Sequence, residues 1–175
     1  SDKERIKERV KKVHKESAKH IEDVRRRNEE INKRIKEEID DVERRNREIN
    51  EDIRRLVRER RVDEKEIRKR LKDVRDETKR IVERIKRELE RVLEETEKAL
   101  EDNDRKAKKV RDELRELNLP ERVIEDLERL IEENKRTLTE VIKRHRELLE
   151  DWKRRLDEVL KDHERSAREI DEEAR

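Results

Sequence analysis

The sequence predicts an all-α fold, an antiparallel up-down-up bundle of three long, nearly straight helices, on three observations. Apolar residues recur on one helical face with an 18-residue repeat, the intervening residues are almost entirely Glu, Lys and Arg, and only two short stretches break the pattern. Eighteen residues at 3.6 per turn complete five whole turns, so a straight helix keeps such a stripe on one side along its full length. A seven-residue repeat would drift by ~20° per heptad and impose a left-handed supercoil instead. Charged residues make up 62% of the chain and hydrophobic ones 27%, a balance that usually means disorder. Periodicity overrides it, because the apolar residues share one stripe and the charged ones are strong helix formers.

The middle helix, about 64–117, carries the repeat most plainly. Leu71 maps onto Leu89 and Ala107, Val74 onto Val92 and Val110, and Thr78 onto Thr96 and Leu114. The run Glu101-Asp102-Asn103-Asp104 is a poor helix former, yet Asn103, Ala107 and Val110 stay in phase, so the helix is expected to continue through it. The first helix, about 2–60, has Ser1 and Asp2 as N-cap candidates and a stripe from Ile6 to Val57. It repeats Asn28, Ile31, Asn32 and Ile35 as Asn46, Ile49, Asn50 and Ile53. The third, about 120–174, runs from Val123 to Ala174 with doublets such as Val141-Ile142 and Leu148-Leu149 that suit contact with two neighbours.

Both breaks read as short connections. Asp63 followed by Glu66 has capping-box spacing in front of Ile67. In Asn118-Leu119-Pro120, Asn suits the left-handed conformation that ends helices, Leu119 can fold back on the last turn, and Pro120 suits the first position of the next helix. Helices of this length joined so tightly must run antiparallel to their sequence neighbours, giving one domain over residues 1–175 and a rod of ~80 Å.

Composition excludes several classes of function. Fifty-five basic and 53 acidic side chains interleave to a net charge of +2, with one aromatic residue, Trp152, so no one-signed, stacking surface for nucleic acid is expected. No apolar run approaches the ~18 residues of a membrane span, and no targeting signal is seen. With no Cys there is no disulfide or thiolate metal site, and with no Gly there is no glycine-rich phosphate loop. No nucleophile stands near a base, since Ser17 and Ser166 lack a neighbouring His, so no catalytic, cofactor or metal residues are assigned and no partner is required. Trp152 is expected to lie level with Leu89 and Ile35 and to fill the interior. His14 and His20 are read as flank or surface residues.

The polar residues on the stripes are the candidate site. Facing positions add to about 124 on the first pair of helices and about 240 on the second, which sets Asn28 level with Thr96 and His145, and Asn46 level with Thr78 and His163. One Asn-Thr-His trio thus recurs a repeat apart. Amide, hydroxyl and neutral imidazole can satisfy one another across a dry interface, and any register that misaligned them would strand buried polar groups at a cost of ~1–3 kcal/mol each. A third layer is expected from Ser17, Asn134 and Asn103 around Ala107. Asn32 and Asn50 would extend the first two. The histidines read first as structural and second as a pH switch; 18 residues apart along one helix, ~27 Å, they cannot share a metal.

These features resemble those of computationally designed helical bundles, in particular untwisted three-helix bundles with buried hydrogen-bond networks. The resemblance covers the whole chain and rests on the shared repeat, the Glu, Lys, Arg, Ile, Leu and Val vocabulary, the short connections and the Asn-Thr-His layers. It departs from them in lacking Gly in the connections. What it implies is a soluble, monomeric scaffold with no natural activity or partner. The alternative is a helix-exchanging, oligomerising or pH-responsive binding module.

Overall fold

A computed structural model describes residues 1–175, with the side chain of every residue except Asp2, whose expected capping role therefore lies outside the described residues. Three helices pack as a bundle: α1 Asp2–Arg58, α2 Glu64–Glu116 and α3 Glu121–Ala174. They hold 57, 53 and 54 residues. α2 passes without interruption through the Glu101–Asp104 run. Ser1 caps α1, its Oγ accepting from the Glu4 amide at 3.4 Å and its carbonyl from Arg5 at 3.1 Å.

The first connection is a Schellman motif. The Arg60 amide donates to the Val57 carbonyl and the Arg61 amide to the Leu56 carbonyl, both at 3.1 Å, with Arg60 at φ 52°. This left-handed position is one a glycine fills without steric cost. Arg60→Gly is therefore expected to raise the unfolding free energy by roughly 0.5–1 kcal/mol, read from the urea midpoint at unchanged slope. Val62 packs against the core cluster of Ile53, Ile67, Leu71 and Ile170. Asp63 then caps α2, Oδ1 accepting from the Glu66 amide at 2.8 Å.

The second connection departs from expectation. Asn118 does not take the left-handed conformation; among the described non-glycine residues Arg60 alone has positive φ. The Leu119 amide bonds to the Leu117 carbonyl at 2.7 Å, a tighter reversal. Pro120 stands at the N-cap of α3, its carbonyl accepting from Val123 and Ile124 at 2.9 and 3.2 Å. Leu117 and Leu119 pack back onto the core, as expected.

Two compact units divide the chain, each built from a segment of all three helices: Ser1–Glu30 with Arg91–Glu147, and Ile31–Glu90 with Leu148–Arg175. In the first, one cluster joins Ile6, Val10, Val110, Leu114, Leu127 and Ile131, and another joins Ile21, Ala99, Leu138 and Ile142. Ion pairs Arg9–Glu113 and Arg27–Glu95, at 2.7 and 3.0 Å, show α1 and α2 running antiparallel there. The second unit repeats that register in Arg34–Glu88 and in Arg45–Glu77 at 3.0 Å. Its core includes Ile35, Ile39, Ile85, Leu89 and Leu156. Exposed pairs of this kind contribute only ~0–1 kcal/mol each.

Candidate functional site

Apolar stripes bring the polar positions inward because each occupies a stripe site of the repeat. Thr96 and Thr78, 1% and 2% exposed, sit on α2 with His145 and His163, 2% and 3% exposed, on α3. Asn28 is buried and Asn46 half-buried on α1.

In the first unit Asn28 Nδ2 donates to Thr96 Oγ1 at 3.3 Å; in the second Asn46 Nδ2 donates to Thr78 Oγ1 at 3.1 Å. Each threonine hydroxyl in turn donates to the carbonyl four residues back, Val92 at 2.7 Å and Val74 at 2.8 Å. The geometry follows from donor inventory. A hydroxyl has one proton, used within its own helix, and its lone pairs are left for the amide arriving from α1.

The expected third member does not join in the second unit. Neither ring nitrogen of His163 reaches a partner at hydrogen-bonding geometry. Burial disfavours the imidazolium and holds the His163 pKa below its ordinary value. The nearby Leu71 carbonyl opposes this, Arg75 reinforces it, and Glu164 opposes it. The layer is thus an Asn–Thr pair beside a buried, neutral imidazole.

The third expected layer is assembled differently. Asn134 is buried, and its Nδ2 donates to the His14 carbonyl at 3.0 Å, while His14 Nδ1 lies 2.9 Å from the Leu130 carbonyl. Asn103 is only half-buried and its Nδ2 has no partner, and Ser17 is half-buried. His14, read from sequence as a flank residue, thus forms a two-way clasp between α1 and α3. His20 is exposed, as read.

Trp152 also corrects its expectation. It lies half-buried at the flank of α3, donating Nε1–H to Asn32 Oδ1 at 2.8 Å, with the Arg155 guanidinium 5.8 Å above its ring. An indole N–H needs an acceptor when withdrawn from water, and the dry interior has none to offer. The repeat carries the signal: adding 18 to His14 and Asn134 gives Asn32 and Trp152, and again gives Asn50 and Ile170.

At that last step the pattern loses its polar partner. Ile170 is fully buried, and the buried Asn50 Oδ1 has none. Asn50→Leu is expected to raise the unfolding free energy by about 1–3 kcal/mol, measured by chemical denaturation, since it removes a stranded acceptor and adds apolar contact.

The two Asn–Thr pairs tie α1 to α2 at two levels one repeat apart. Among the described residues no three of His, Cys, Asp or Glu are grouped to hold a metal ion, and no helix is long and apolar enough to cross a membrane. Comparison with protein-family models, with curated proteins and with solved structures finds nothing that matches the chain.

Proposed function

We propose that this chain is a structural scaffold of designed type, with no catalytic activity, whose buried polar pairs specify how its helices align. The observation that carries the reading is the recurrence of one Asn–Thr hydrogen bond, a single repeat apart, at Asn28–Thr96 and Asn46–Thr78. A buried Asn fixes register in coiled coils by the same reasoning, since every misaligned pairing strands an amide. The vocabulary and repeat that resemble designed bundles support the same origin. Light scattering over a tenfold concentration range tests it. A constant monomer mass supports a self-contained scaffold, whereas a mass that rises with concentration places the chain among assembling modules.

A second reading, a pH-responsive module, is favoured by the environment of His163. Its unfolded-state reference is 6.5 and burial sets the folded value lower. As pH falls below 6.5 the unfolded chain takes up this proton first, so stability drops until the folded-state value is passed and then levels off; above 6.5 the group contributes no slope. Thermal midpoints measured from neutral to mildly acid pH are therefore expected to fall in the parent. In His163→Leu, which leaves no proton to bind, the fall is smaller.

A further inference from the structure

We propose that the groove between α2 and α3 beside His163 binds a small organic oxyanion, its charged head among the basic residues of the rim and its apolar body on Leu71 and Ala167. The groove lies within the second unit and has a volume of about 470 Å³, inside the range of small-ligand sites, ~300–1,000 Å³. Arg68, Lys72, Arg75 and Arg168 line it, against the two carboxylates of Glu164 and Asp171. Arg68 is paired with Asp171 at 3.0 Å and Arg75 with Glu164 at 3.4 Å. Both guanidiniums are more than half exposed and can exchange these carboxylates for a ligand's oxygens, which guanidinium groups match bidentately.

Two observations set this groove apart from the rest of the surface. The His163 ring lines it and is 3% exposed, and its buried nitrogens, near the Leu71 carbonyl, have no partner at hydrogen-bonding geometry. The groove also arises where the sequence leaves its own repeat. One repeat away, Ala167 corresponds to Leu149, Arg75 to Leu93, Lys72 to Glu90 and Arg168 to Glu150. Two leucines give way to a small residue and a cation, which opens the space; two glutamates give way to cations while Arg146 and Lys153 give way to Glu164 and Asp171, so the net charge of the lining rises from +1 to +2.

The test is titration of the full chain with phenyl phosphate at low ionic strength and near-neutral pH, following the imidazole resonances of all four histidines. A saturable shift of His163 alone, with a dissociation constant on the order of 1 mM, supports the site. So does weaker binding of inorganic phosphate, which lacks the apolar body. Ala167→Leu restores the residue of the repeat, fills the groove, and is expected to weaken binding at least about tenfold while the helical circular dichroism is retained. Lys72→Glu with Arg168→Glu is expected to weaken it without changing the groove's floor. The proposal is overturned by the absence of a saturable His163 shift at millimolar ligand, by equal affinity for inorganic phosphate, or by an Ala167→Leu variant that is folded and binds as the parent does.

Discussion

Combining Asn28→Val, Thr96→Leu and His145→Leu is expected to raise the unfolding free energy by about 2–5 kcal/mol. The protein carries its own template for this change. One repeat away the same positions are Val10, Leu114 and Leu127, which pack together in one apolar cluster with Leu114 fully buried. A hydrogen bond such as Asn28–Thr96 contributes a net ~0.5–1.5 kcal/mol, because water would satisfy both groups in the unfolded chain, whereas each buried leucine contributes ~1.5–3 kcal/mol. Apolar replacement of the whole layer therefore wins on stability. Register is held elsewhere: each helix runs unbroken into the second unit, where Asn46–Thr78 remains. Changing that layer too, with Asn46→Val, Thr78→Leu and His163→Leu, is expected to add stability again and to admit shifted alignments, seen as doubled amide resonances or higher mass. Equilibrium denaturation of both variants beside the parent checks the gain in stability, and their amide spectra check the alignment.

Leu138→Ala is expected to cost about 3–5 kcal/mol. Leu138 is fully buried in the cluster of Ile21, Ala99 and Ile142, and the small Ala99 beside it has no side chain to move into the cavity left behind. Leu138→Met keeps the volume and is expected to cost less than about 1.5 kcal/mol. The difference between the two urea midpoints separates lost packing from disturbance of the helix. A loss below about 1 kcal/mol for the alanine variant would mean that this part of the core is loosely packed.

The helices and their register are legible in the sequence because the 18-residue repeat fixes both the buried face and the level of each residue. That spacing by itself sets Asn28 against Thr96 and Asn46 against Thr78. Level alone does not assign hydrogen bonds. The hydroxyl proton of Thr78 goes to Val74, leaving no donor on that threonine for the His163 ring. The clasp at His14 is not legible from its spacing to His20 along one helix, because its partners, the Leu130 carbonyl and Asn134, lie on another. The size of Trp152 suggests the interior, where its N–H has no acceptor, and the hydrogen bond to Asn32 draws it to the flank instead. Arg60 carries no signal at all, since a left-handed residue is ordinarily announced by glycine.

The central claim is that two Asn–Thr hydrogen bonds hold one helix alignment. It is tested most directly by the side-chain amide resonances of Asn28 and Asn46 and their nuclear Overhauser contacts. The account predicts one set of slowly exchanging NH₂ signals for each, with cross-peaks to the Thr96 and Thr78 methyl groups respectively. Absence of those cross-peaks, or several sets of Asn signals in the parent protein, would contradict it.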